Sequence, residues 1–282
     1  MATLLAVPSA GTLDRSVPAP TPRAWDPRLY QIATLGALLV YGVVWLDLEV
    51  RPLTALAIVA GALVTQHLCA RLAGRAPDLR SALISALSLC LLLRTGSLGL
   101  AALAAVVAIA SKFVLRVRGR HVFNPTNLAL VALLAGTGQV WVSPGQWGSG
   151  VLFAFALAAA GGLVVNRAAR ADVTCAFLAA HAALVLGRAA WLGDPLAIAL
   201  HRLENGALVL FAFFMISDPR TTPDSRAGRI LFAALVALGA YVLQFRLFWT
   251  NPLLWSLAAC SFAVPLLDRL LPGPRYQWRK PS

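Results

Sequence analysis

Two short polar segments interrupt an otherwise apolar chain, His121-Val122-Phe123-Asn124-Pro125-Thr126-Asn127 and Ile216-Ser217-Asp218-Pro219-Arg220-Thr221-Thr222-Pro223. Asn followed by Pro suits a helix start: the amide side chain caps free backbone N–H groups, and Pro at the first helical position needs no donor. Asn127 lies three residues beyond Asn124 and so shares its helical face. Arg116, Arg118, Arg120 and His121 precede the pair. A helix start with a basic approach can receive an anionic or carbonyl-bearing group, which makes Asn124, Pro125 and Asn127 candidate ligand contacts. Asp218 falls where an apolar run ends, and a carboxylate at a helix C-terminus opposes the dipole. It therefore pairs with Arg220 or Arg226, caps the next turn, or accepts a hydrogen bond from a ligand ring. The loop Ser143-Pro144-Gly145-Gln146-Trp147-Gly148 reads as an interfacial turn between Trp141 and Trp147, and the Trp147 indole offers a flat face for stacking. No histidine has a second one at i+3 or i+4, and Cys69, Cys90, Cys175 and Cys260 form no CxxC pair. Haem, zinc, iron–sulfur or other metal ligation is therefore not expected.

The elements that position these residues follow from composition. Of 282 residues 59% are apolar and only 12% charged, which excludes a soluble enzyme with a polar skin. The net charge of +13 is spread singly between apolar runs and not on one face, so nucleic acid is not the expected partner. Residues 1–28 form a proline-rich cytoplasmic tail without the apolar region of a secretory signal, and 272–282 a basic cytoplasmic tail. Between them, 29–271 reads as an all-α integral membrane domain of about ten spans, near 29–48, 52–70, 81–93, 97–115, 126–142, 149–166, 173–190, 205–217, 228–245 and 252–271. With both termini cytoplasmic, 19 of the 24 Lys and Arg residues fall on the inner side, as the positive-inside rule requires.

Two spans are short. Thirteen residues separate Arg80 from Arg94, and thirteen separate Glu204 from Asp218. Each then covers about 20 Å of a hydrocarbon layer about 30 Å thick. They are the third and eighth spans, and Phe123-Asn124-Pro125 opens the fifth as Thr250-Asn251-Pro252 opens the tenth. Repeat one (about 29–142) and repeat two (about 149–271) are thus expected to be inverted five-helix halves with paired short helices, a pattern that points to a midplane ligand site.

The segments from His121 to Asn127, Ser143 to Gly148 and Phe213-Phe214-Met215-Ile216-Ser217-Asp218-Pro219, in this order with ten spans, resemble the NqrB/RnfD family. These are the membrane subunits of sodium-pumping NADH:quinone oxidoreductase and of the Rnf electron-transport complex. The nearest likeness is to the stand-alone UnbU-like branch associated with enediyne biosynthesis. The resemblance implies a bacterial inner-membrane electron-transfer subunit that holds a flavin or quinone between half-helices. Asn124, Pro125 and Asn127 would line its pocket from one half, and Asp218, Pro219 and Thr221 from the other. In the large complexes a threonine in a Ser-Gly-Ala-Thr type of run carries FMN. The nearest stretch here, Ala171-Asp172-Val173-Thr174-Cys175-Ala176, lacks the glycine. Noncovalent FMN or riboflavin is thus expected, Thr174 is the position for a covalent link, and no flavin stays the open alternative. The chain carries neither a dinucleotide fingerprint nor a cysteine cluster run, so other membrane or soluble redox proteins would supply its electrons. A small-solute or ion transporter on the same inverted fold is the rival reading, and a scaffold or self-resistance component without turnover a third.

Overall fold

The computed structural model describes residues 26–147, 161–162 and 170–276. Helix starts are set by side-chain caps. Asp26 accepts from the Arg28 amide (3.0 Å) to open α1 (Pro27–Trp45), and Asp78 from the Ser81 amide (3.2 Å) to open α3 (Leu79–Leu92). Between them runs α2 (Pro52–Leu72). Ser97 opens α4 (Leu98–Val114), and Asn124 opens α5 (Pro125–Gly136). In the second half α6 (Ala171–Leu192) is followed by α7 (Leu196–Leu203) and α8 (Gly206–Leu210). Helix α8 widens into a π-helical turn over Phe211–Met215. Ser225 caps α9 (Arg226–Phe245), and α10 (Pro252–Ser261) and α11 (Val264–Leu270) complete the order.

Two small antiparallel pairs tie helix ends together. Strand β1 (Leu93–Thr95) pairs with β4 (Val140–Val142), Leu93 opposite Val142. Strands β2 (Arg116–Val117) and β3 (Arg120–His121) form a hairpin whose turn, Arg118-Gly119, has positive φ at both positions, which the twist of a two-residue hairpin requires. Helix α3 stops short because Arg94 closes it: the buried guanidinium donates to the carbonyls of Cys90 (3.1 Å), Leu91 (3.1 Å) and Leu93 (2.9 Å) and to Gln146 Oε1 (3.1 Å). The orphan C-terminal carbonyls thereby find donors without a further helical turn.

Helices pack through small residues, as expected where lipid gives no hydrophobic drive between them. Ala101, Ala104, Ala105 and Ala108 of α4 are wholly buried, and a Cβ at Gly61 of α2 would lie 3.3 Å from that of Ala105. Large apolar side chains such as Val40, Leu53, Leu56 and Leu238 face outward instead. Exposed Trp45, Trp141, Trp191 and Trp249 all follow helix C-termini or lie on β4, at one end of the bundle. An aromatic belt at a membrane surface has this arrangement.

Four described helices, α1, α2, α6 and α9, are long and apolar enough to cross a membrane, and six spans result if each bent pair counts as one. The bent pairs are α7 with the α8 run (46°) and α10 with α11 (51°), while α3, α4 and α5 are shorter apolar helices. Several expected spans differ from this. The span expected over 126–142 ends at Gly136 and turns into strand β4, since Val140–Val142 finds its backbone partners on β1. The span expected over 252–271 breaks at Phe262–Ala263. Helix α7 was not anticipated; its Leu196, Ile198 and Leu200 are exposed beside His201 and Arg202. Apart from residues 161–162, which are helical, the span expected over 149–166 lies outside the described residues.

Candidate functional site

A cavity of about 80 Å³ opens at the end of the bundle opposite the tryptophans, where α1, α3 and α5 begin and α4 and the π-turn end. It brings together four residues singled out from the sequence, Asn124, Pro125, Asp218 and Pro219. Asn124 is an N-cap whose Oδ1 accepts from the Asn127 amide (3.1 Å) and whose Nδ2 donates to the Met215 carbonyl (3.2 Å). The cap therefore also bolts α5 to the π-turn of the other half. Phe213 and Phe214 of that turn line the cavity, and Gly161 backs it so closely that a Cβ there would fall 2.7 Å from Phe213 Cβ. π-turns of this kind recur at functional sites.

Asp218 has two duties. Its Oδ1 accepts from the Arg220 amide (3.0 Å), and its main-chain oxygen accepts from the amides of Thr221 (3.1 Å) and Thr222 (3.2 Å), closing a tight turn. Its Oδ2 faces His121 Nε2 across 3.9 Å, a charge contact and not a hydrogen bond. Burial alone pushes the carboxyl pKa up, yet His121, the Arg220 amide and Lys112 outweigh that effect and hold it below the ordinary aspartate range. The loop is anchored from below by Arg170, which donates to Thr222 Oγ1 (3.1 Å) and the Pro219 carbonyl (3.4 Å). Arg120, next to His121, pairs with Asp224 (2.7 Å) and with Asp268, so hairpin and loop hold each other in register.

Sequence reasoning missed Lys112. It sits on α4 in line with Ala104 and Ala108 at four-residue spacing, is buried, and donates to the Ser81 carbonyl (2.9 Å) and Ser81 Oγ (3.1 Å). An ammonium has three donors, and Lys112 lines the cavity. A cation on the small-residue face of an apolar helix was the available signal. Arg28, which pairs with Asp78 (2.7 Å), also lines the cavity.

The other expected site residues lie apart. Asn127 is buried between α5 and α10, where Nδ2 donates to the Leu254 carbonyl (3.1 Å) and Oδ1 has no partner among the described residues. Thr221 is buried beneath the loop, its hydroxyl donating to the Asp218 carbonyl (3.3 Å). Trp147 ends a 3₁₀ turn over Pro144–Trp147 and is 1% exposed, in the core and not at an interface. Thr174 is buried in the first turn of α6 and donates to the Ala212 carbonyl (3.0 Å). Asn251, the partner expected for Asn124, has left-handed backbone (φ 54°) and makes no side-chain cap. Among the described residues no group of three or more His, Cys, Asp or Glu side chains is placed to hold a metal ion.

A second cavity of about 210 Å³ lies at the tryptophan end, where α8 and α10 begin and α3 ends. The α5–α10 contact and the Asn124–Met215 bond stand between the two cavities: Met215 and Leu254, whose carbonyls accept from Asn124 and Asn127, both line the second.

Residues 137–276 match the family model described as NQR2, RnfD, RnfE family. The chain is 30% identical over 141 residues to a membrane-complex relative from Klebsiella pneumoniae, the RnfD-type component of its ion-translocating oxidoreductase complex. The corresponding protein of Citrobacter koseri is 29% identical over 136 residues, and that of Escherichia coli 28% over 138. Each alignment covers 48% of this chain and 36% of the relative's length. The matched stretch contains Asp218, Pro219 and Thr221, while Asn124 and Asn127 lie before it. Over just under half of its length, the half that carries the Asp218 loop, this chain is similar to the NQR2, RnfD and RnfE proteins.

Proposed function

We propose that this protein is a membrane component of an ion-translocating oxidoreductase, built from two inverted five-helix halves that make up ten spans with both termini cytoplasmic. The observation that carries the reading is the pairing of the two cavities. Asp78 and Asn205, Ile84 and Phe211, Ser88 and Met215, and Asn124 and Asn251 each stand 127 positions apart. The first member of every pair lines one cavity and the second lines the other. Asn127 meets Leu254, also 127 positions on, across the α5–α10 contact, as two residues related by a two-fold axis meet near that axis. A duplicated, inverted fold produces both relations. The basic end with the first cavity would then face the cytoplasm, and the tryptophan end the opposite side. The three motifs in fixed order favour the UnbU-like branch and a role beside enediyne biosynthesis.

The groups around the first cavity suit the polar edge of a flavin or quinone: Lys112 donates, Asp218 Oδ2 accepts, and His121 does either. Such a ring, when bound, would supply the electron transfer. The volume does not suit a whole flavin. A cavity of about 150 Å³ takes up benzene, so one of about 80 Å³ admits a carbonyl edge and not three fused rings. No step is therefore derived through flavin. What the chain's own residues do is orient: Arg170 and Arg120 fix the loop, the loop fixes Asp218, and Asn124 fixes the π-turn. Electrons would come from partner redox proteins.

The thin partition between opposed cavities favours a second reading, a path for a small ion or solute. One experiment separates them. Protein purified in detergent is extracted with acid and with organic solvent, and the extracts are assayed for flavin and quinone. Stoichiometric flavin or quinone supports the redox role, as does its loss in Asp218→Asn at unchanged expression. A preparation free of both that dissipates an ion gradient in vesicles replaces it with the second reading.

A further inference from the structure

We propose that the second cavity is a separate binding site, for a small neutral aromatic molecule carrying a hydroxyl group on its ring. Its wall is largely apolar, with Leu208, Phe211 and Met215 standing where the first cavity has Ser81, Ile84 and Ser88. The two cavities share a backbone plan but have diverged in chemistry, so the second does not repeat the task of the first. Its volume of about 210 Å³ exceeds the roughly 150 Å³ that holds a benzene ring.

Polar groups converge on this apolar space from helices outside the paired set. His181 of α6 lines it at 7% exposure, with its ring stacked on Phe177 (5.7 Å between centroids, 19° between planes). The buried Nδ1 of His181 has no hydrogen-bond partner among the described residues. A buried ring nitrogen without a partner costs stability unless something completes it. Whichever tautomer the imidazole adopts, a hydroxyl meets it, because a hydroxyl both donates and accepts. Gln244 and Arg202 reach the same space. A few convergent polar groups on an apolar wall is the usual make-up of a small-molecule site. Asn251 adds a second sign, since a non-glycine residue held in left-handed backbone with its amide uncapped is a local cost that is common at ligand sites.

The test is equilibrium dialysis of the full chain in detergent against 1-naphthol, with naphthalene as the compound that lacks the hydroxyl. Saturable 1-naphthol binding is expected, at least about tenfold tighter than naphthalene. His181→Phe keeps the stack on Phe177 and removes the ring nitrogens; it is expected to weaken 1-naphthol about tenfold and to leave naphthalene within about twofold. Leu208→Trp fills the space and removes both, while Asp218→Asn, in the first cavity, changes neither. Equal affinity for the two compounds in the unaltered protein, as for an acyl-chain groove, overturns the proposal. So does 1-naphthol binding that is unchanged in His181→Phe, a comparison that holds even if Leu208→Trp fails to fold.

Discussion

Two Asn-Pro pairs look alike in the sequence and carry different loads in the fold, and substituting the asparagines separates them. Asn124→Ala removes the cap on the Asn127 amide, worth about 1 kcal/mol, and leaves the buried Met215 carbonyl without its donor, worth about 1–3 kcal/mol. The expected loss is about 2–4 kcal/mol, which in a domain of this size lowers the melting temperature by about 5–15 °C. Asn251 makes no side-chain cap and sits at φ 54°, a region that glycine occupies freely. Asn251→Gly should therefore leave the melting temperature unchanged or raise it by up to about 4 °C. The assay is intrinsic tryptophan fluorescence during heating in detergent, at one fixed scan rate because membrane proteins seldom refold on cooling. If Asn251→Gly melts as low as Asn124→Ala, or if Asn124→Ala melts like the parent, the reasoning that assigns the α5–π-turn link to one amide is refuted.

Asp218 gives a pH prediction. A carboxyl whose folded pKa lies below its unfolded one contributes stability above the unfolded value, and that contribution disappears as pH falls through the folded value. The melting difference between parent and Asp218→Asn should hold from neutral pH down to the ordinary aspartate pKa and close only below it; closure already above about pH 5 would show that the carboxyl is not held down. A packing prediction concerns glycines in long helices. A Cβ at Gly239 of α9 would press on Ser256, whose hydroxyl donates to the Val236 carbonyl (2.7 Å), whereas Gly187 of α6 has open space. Gly239→Ala should cost about 1–3 kcal/mol and Gly187→Ala should be neutral or stabilising, read as melting shifts of opposite sign.

The sequence by itself determined the solvent. Apolar runs with 12% charge must face lipid, Asn, Asp and Ser before those runs must start helices, and the arginine asymmetry orders the ends. These are local or compositional properties, and a linear reading captures them. The pairing of Asn124 with Asp218 across one cavity was legible too, through the spacing of duplicated motifs. Only the tertiary structure decided that α3 ends because Arg94 folds back on its carbonyls, that residues 140–142 leave the helix to pair with β1, and that Trp147 turns into the core. It also decided that Lys112, which reads as one more basic residue at a helix end, points into the cavity, and that Asn251 loses the cap its neighbour Pro252 suggests. Each of these rests on a hydrogen-bond or packing partner dozens of residues away in the chain. No pattern of nearby residues encodes such a partner, because what selects it is which donors and volumes the folded helices leave unfilled.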